Sequence, residues 1–263
     1  MDSFQSDIDN ILQLYGDSVI LKPYQREALQ YIYAEESDCI VCLPTGYGKS
    51  LIFHLLGPLL RQKKGYDSGS ILVISPLNII QRDQAISITK RGLKACRLSV
   101  SGKGTTLRDD YDFTEYCMEC ETDASLADIE SGLYDVILCH PEALFSTSQG
   151  DALLNSRAFQ QNVLAVVFDE CHTVDQWSRD FRKAFGHIDT LPTFLSCPTI
   201  ALSATLTARA LDKLPGLLNM KKPKLIIANP DKPNIFLCFQ MGLSYPTIIC
   251  HPGLFEIACN VLG

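Results

Sequence analysis

Two short segments carry the residue types that phosphate chemistry needs. The first, Pro44-Thr45-Gly46-Tyr47-Gly48-Lys49-Ser50, follows the apolar run 39–43 and precedes Leu51-Ile52-Phe53-His54-Leu55-Leu56. An apolar strand, a glycine loop, Lys-Ser and an apolar helix form the context in which a phosphate loop works. Gly46 and Gly48 permit backbone conformations and close approaches that a side chain would block. Successive N–H groups and the helix N-terminus then face the phosphates. Lys49 can reach the β and γ phosphates, the Ser50 hydroxyl can ligate Mg²⁺, and Pro44, Thr45 and Tyr47 complete the candidate nucleotide contacts. Leu43 stands where the first glycine of the Gly-x₄-Gly-Lys-Ser pattern would be. Taken alone, the segment also reads as a glycine-rich turn with a surface lysine.

The second segment lies about 120 residues further on, where the run Leu164-Ala165-Val166-Val167-Phe168 ends in Asp169-Glu170-Cys171-His172. An Asp at the end of a strand beside the phosphate-loop strand can hold Mg²⁺, and the Glu after it can orient or deprotonate an attacking water. The alternative, a solvated acidic turn, loses weight because a buried strand precedes the pair. Downstream, Ser203-Ala204-Thr205 closes the run 199–203, and its hydroxyls can relay the nucleotide state to the acidic segment by hydrogen bonds.

These residues need elements to hold them. Short apolar runs occur at 39–43, 70–75, 95–99, 135–139, 164–168, 199–203 and 225–228, each followed by a loop and a helix-like segment. Runs apolar at nearly every position and rich in Val and Ile fit strands covered on both faces. Strands alternating with helices predict an α/β fold with a mostly parallel sheet flanked by helices, and such sheets bind ligands at the carboxyl ends of their strands. Helical spacing also appears over 7–15 and 24–33. The polar, acidic stretch between Gly102 and Gly132 reads as an insertion or helical excursion rather than sheet.

Composition narrows the class. The chain has 263 residues, enough for one large domain, with 46% hydrophobic and 20% charged residues. The N-terminus, Met1-Asp2-Ser3-Phe4-Gln5-Ser6-Asp7, carries no secretory pattern, and no charge-free apolar run is long enough to span a bilayer, so no membrane contact is expected. The eleven cysteines are scattered and read as buried thiols of a reducing compartment. The one CxxC, Cys117-Met118-Glu119-Cys120, lacks a second ligand pair at finger spacing. A net charge of −7 argues against nonspecific coating of nucleic acid but not against a local basic groove.

Together these segments resemble the superfamily 2 helicase motifs, in order, from about Leu21 to Phe236. Asp169-Glu170-Cys171-His172 is similar to the DEAH box, with Cys171 in its third position. The run Thr173-Val174-Asp175-Gln176-Trp177-Ser178-Arg179-Asp180-Phe181-Arg182-Lys183-Ala184-Phe185 resembles the aromatic-rich loop of RecQ DNA helicases, which senses single-stranded DNA and couples it to ATP hydrolysis. Trp177 and Phe181 beside Arg179 and Arg182 would offer stacking faces next to phosphate-pairing charges. By spacing alone, Trp177, Phe181 and Phe185 suit an amphipathic core helix equally well. Ser75-Pro76-Leu77 with Gln81, Asp83 and Gln84 resembles motif Ia, which contacts the DNA backbone. Leu21-Lys22-Pro23-Tyr24-Gln25 resembles the adenine-recognising motif, where Gln25 would bond the base edge and Lys22 replaces the usual Arg.

The resemblance implies a RecA-like P-loop domain over 37–236, an N-terminal helical segment with the adenine motif over 1–36, and an unassigned tail over 237–263. It implies an ATP- and Mg²⁺-dependent 3′ to 5′ DNA helicase acting on single-stranded or partly duplex DNA in repair and recombination. Such a protein would be nuclear in a eukaryote and cytoplasmic otherwise. Lys49, Asp169 and Glu170 would be catalytic, Ser50 and Asp169 would hold the metal, and His172 would contact nucleotide. DNA coupling would fall to Ser75, Pro76, Gln84, Gln176, Trp177, Arg179, Phe181, Arg182, Ser203 and Thr205. A second RecA-like domain, whose arginines complete such a motor, is expected but absent from the 27 residues after Phe236. The chain alone is therefore expected to bind Mg-ATP, hydrolyse it slowly and not unwind DNA. A helicase-like ATP- and DNA-binding module without unwinding is the alternative; an RNA helicase is a third, which the loop around Trp177 disfavours.

Overall fold

A computed structural model describes residues 3–15, 19–75, 78–101, 119–174, 188–229, 235–237 and 248–250. By contacts the chain divides into Met1–Ala228 and Asn229–Gly263. In the second unit the described residues form an antiparallel pair, β9 (Ile235–Leu237) with β10 (Ile248–Cys250).

The first unit is built on an eight-stranded sheet in the order β4-β3-β5-β2-β6-β7-β1-β8. Its strands are β1 (Cys39–Cys42), β2 (Ser70–Ile74), β3 (Ala95–Ser101), β4 (Glu119–Thr122), β5 (Val136–Cys139), β6 (Val163–Phe168), β7 (Thr199–Ser203) and β8 (Lys224–Ile227). All neighbours run parallel except β3 and β4. The mostly parallel α/β sheet read from the sequence is therefore present.

Every residue of β1, β2, β5, β6 and β7 is buried. Successive side chains go to opposite faces. Val41, Val73 and Val167 join one apolar cluster with α1 (Ser3–Tyr15), α2 (Pro23–Glu35) and α3 (Ser50–Lys64). Ile40, Leu72 and Val166 join the other, with α6 (Pro141–Phe145), α7 (Ser148–Asn155), α8 (Arg157–Asn162) and α10 (Ala208–Leu217). Among the described residues the remaining α-helices are α4 (Asn78–Thr89), α5 (Leu126–Glu130) and α9 (Leu191–Phe194). Among the described residues no helix is long and apolar enough to cross a membrane.

Helix α3 fixes the site's position. Ile52, Phe53, Leu55, Leu56, Leu59 and Leu60 are all essentially inaccessible. Each such side chain stabilises by about 1.5–3 kcal/mol on burial, so the six anchor the helix whose first residue is Ser50 by about 9–18 kcal/mol. Phe53→Ala would leave a cavity costing about 3–5 kcal/mol. The helix stops at Gly65, where φ is +64° and the N–H of Tyr66 bonds the Arg61 carbonyl at 3.0 Å.

Two expectations need correction. The stretch between Gly102 and Gly132 is not outside the sheet throughout: Glu119-Cys120-Glu121-Thr122 forms β4 and pairs Thr122 with Leu98. An edge strand has one neighbour and does not need an apolar residue at every position, so its sequence lacks the buried-strand signature. Nor does the strand of Asp169 lie beside the phosphate-loop strand, because β7 pairs with both β6 and β1 and separates them.

Candidate functional site

β1 delivers the chain to Leu43, whose N–H bonds the Ser203 carbonyl at 3.0 Å. The loop then turns tightly, with Tyr47 N–H donating to Pro44 O at 3.0 Å. Gly46 and Gly48 adopt φ of +82° and +91°, a region unfavourable to side chains. A Cβ on Gly48 would also lie 2.7 Å from Gln25 Nε2. Among the described residues, no backbone hydrogen bond engages the N–H groups of Gly46, Gly48, Lys49 or Ser50. Four donors at the mouth of a 15-residue helix can receive an anion.

The loop carbonyls turn toward α2. Gln25 is 2% exposed. Its Nε2 donates to Tyr47 O at 3.0 Å and Gly48 O at 2.8 Å, while its Oε1 accepts from Lys22 N–H at 2.8 Å. Both amide hydrogens are thus used on the loop, so Nε2 could donate to a base only after one let go, while Oε1 keeps a second lone pair. Lys22 Nζ donates to Gly46 O at 3.3 Å and lies 4.8 Å from the Tyr47 ring centroid. In this structure Lys22 and Gln25 hold the loop.

The acidic segment is held by side chains. Asp169 is 7% exposed and its N–H bonds Ile74 O at 2.9 Å. Burial, and then the Glu170 carboxylate, push its carboxyl up to about 6; the Glu170 N–H and the Lys49 charge pull the other way. Glu170 sits at φ +52°, in the left-handed region that costs a non-glycine residue on the order of 1–3 kcal/mol. It starts the short 3₁₀ turn Cys171–Thr173, and its carbonyl accepts from Thr173 N–H and Oγ1 at 3.0 and 2.7 Å.

His172 ties this turn to β7. Its Nδ1 is 3.3 Å from Glu170 Oε2 and 3.0 Å from Ser203 Oγ. The Ser203 hydroxyl donates to Thr205 O at 2.9 Å, so it accepts from His172, which carries its proton on Nδ1. Ser203 also accepts from Thr205 N–H at 3.2 Å. Thr205 thus joins this network through its backbone rather than through its hydroxyl.

The residues expected to couple DNA are placed unevenly. Pro76, Gln176, Trp177, Arg179, Phe181 and Arg182 lie outside the described residues. Ser75 is buried just past the end of β2, with its Oγ unpartnered among the described residues and its carbonyl accepting from Gln81 Nε2 at 2.8 Å. Gln84 turns inward, bonding His54 and the Ser50 hydroxyl. His54 itself carried one signal in the sequence, a lone imidazole in the apolar face of α3.

The model of the family described as DEAD/DEAH box helicase matches residues 22–214. Among curated relatives, the mouse bifunctional 3′-5′ exonuclease/ATP-dependent helicase WRN is 30% identical over 229 residues, covering 87% of this chain and 14% of the relative. The RecQ-like DNA helicase BLM of Xenopus laevis is 28% identical over 218 residues, covering 80% of this chain and again 14% of the relative. Among solved structures, the DUF1998 helicase MrfA superposes with a TM-score of 0.54 at 19% identity, covering 89% of this chain and 33% of that one, a likeness of fold. The chain therefore spans a small fraction of the length of the proteins it matches. Because the matched residues run through α2, the loop, the acidic turn and into α10, the chain belongs to the DEAD/DEAH box helicase family, and within it resembles the RecQ-like members.

Proposed function

We propose that the chain is the ATP-binding motor domain of a RecQ-type DNA helicase, coupling ATP hydrolysis to single-stranded DNA with 3′ to 5′ polarity. The observation that carries this reading is the set of unengaged N–H groups at the start of α3, with Lys49 in electrostatic reach of Asp169. In this reading Lys49 and the loop amides bind the β and γ phosphates, with Pro44, Thr45 and Tyr47 lining the loop. Glu170 orients the attacking water and accepts its proton. His172, bonded to Ser203, fixes the Glu170 carboxylate and signals the phosphate state to β7. Lys22 and Gln25 act on the nucleotide through the loop they hold.

The donor set fits Mg²⁺. A hydroxyl on Ser50 and a buried carboxylate on Asp169, raised by burial, suit a hard cation that takes its other ligands from water and phosphate. When bound, Mg²⁺ supplies charge neutralisation on the phosphates.

The segment around Trp177 supports DNA as the polymer through its pattern of aromatic and basic residues. A nuclear location in a eukaryotic cell follows the same family reading. The test is ATP binding and hydrolysis by the purified chain with single-stranded DNA, RNA or neither. Stimulation by DNA and not RNA is expected, at a low absolute rate. Equal stimulation by both overturns the DNA assignment, and failure to bind Mg-ATP overturns the nucleotide reading. Binding without any stimulated turnover would identify an ATP-binding module instead.

A further inference from the structure

Beneath the loop, three helices contribute to one chain of hydrogen bonds. Tyr15 on α1 places its hydroxyl 2.6 Å from His54 Nδ1 on α3. His54 Nε2 is 3.0 Å from Gln84 Oε1 on α4, and Gln84 Nε2 donates to Ser50 Oγ at 3.3 Å. The Arg91 guanidinium lies 4.7 Å from the Tyr15 ring centroid.

The direction of the chain follows from its chemistry. His54 is 4% exposed, and burial disfavours its charged form. A phenol donating to Nδ1 leaves the proton on Nε2, which donates to the Gln84 oxygen. That fixes the amide, so its nitrogen must face Ser50. The Ser50 oxygen then accepts one hydrogen bond and keeps a second lone pair for a cation. Packing alone does not call for this arrangement: Ile52, Phe53, Leu55 and Leu56 around His54 are apolar, and a leucine would fill the position without needing partners.

We propose that Gln84, held by His54 and Tyr15, is a positioning residue for the Ser50 hydroxyl and thereby sets how strongly Mg²⁺ reinforces nucleotide binding. The proposal rests on the nucleotide reading above.

The test measures the affinity of the chain for a fluorescent ATP analogue in Mg²⁺ and in EDTA. In wild type Mg²⁺ strengthens binding. In Gln84→Leu and His54→Phe that gain shrinks roughly fivefold, the worth of about one hydrogen bond, while affinity in EDTA stays near wild type. His54→Gln, whose amide can still donate to Gln84, recovers part of the gain, which loss of packing alone does not predict. Thermal melts check the fold, and Gln84→Met, close in shape but without an N–H, serves if the leucine variant unfolds. A folded Gln84→Met variant with the full Mg²⁺ gain overturns this proposal alone. A wild-type chain that binds no nucleotide in either buffer overturns the nucleotide reading, and this proposal with it.

Discussion

The loop after β1 and the turn after β6 stand at the carboxyl ends of strands separated by β7, and they face a ligand through different atoms. The loop offers backbone N–H groups that no other backbone group among the described residues engages, and Gln25 and Lys22 hold its carbonyls from behind. The turn offers carboxylates, with one buried beside its neighbour and the other 3.3 Å from His172 Nδ1, which bonds Ser203. Backbone donors have little freedom to titrate or swing, so this half depends on conformation. Carboxylates change charge with their surroundings, so the other half depends on electrostatics. Binding should therefore track the loop, and turnover the turn.

The largest expected effect tests the second half. In the intact motor Glu170→Gln should lower turnover by about 10²- to 10⁴-fold, the range for a general base, with ATP affinity almost unchanged. Steady-state hydrolysis beside equilibrium binding checks it; an equal loss in both would erase the distinction between loop and turn.

Next come two opposite pH dependences in metal-free protein. His54, beneath the loop, is lowered by burial from 6.5 to about 4. Its contribution is full above pH 6.5 and is lost as pH falls toward 4, up to about 3 kcal/mol. Asp169 is raised by burial from 3.8 to about 6, so it costs stability above pH 6 and relieves that cost as pH falls toward 3.8, on the order of 3 kcal/mol. Denaturant melts across pH 4–7 should show His54→Gln less acid-sensitive than wild type and Asp169→Asn more so. Identical profiles in all three would show that neither group is buried as described.

A third effect should fall on binding. Lys49→Ala removes charge-assisted contacts to phosphate and should weaken ATP binding by about 10- to 100-fold, read by titration with labelled ATP. A smaller effect comes from one added methyl. Gly48→Ala forces a Cβ onto φ +91° and to 2.7 Å from Gln25, which should cost about 1–2 kcal/mol in the melt and weaken ATP binding through the displaced loop. If Gly48→Ala bound ATP normally and instead slowed turnover alone, the division between the two halves would be reversed.

The sequence exposed the parts of this site that obey local rules. Runs such as Val136–Cys139 and Val163–Phe168 are apolar at every position because strands covered on both faces must be, so they are legible without a partner strand. The glycines of the loop and the Asp-Glu pair are legible because few residue types permit those backbone angles or that chemistry. β4 was not legible, because Glu119 and Glu121 on an edge strand carry no periodic apolar signal.

What folding alone decided is who stands next to whom. Periodicity reports burial and not neighbours, so it could not reveal β7 between β1 and β6. Gln25 and Gln84 read as groups for base and DNA, yet their amides turn to the loop and to Ser50, because packed helices bring those partners within reach. The Tyr15–His54 contact spans 39 positions and exists only because α1 packs on α3. From the sequence alone one can list the donors and carboxylates this chain needs; their partners and their charge states come from a buried environment that only the folded chain creates.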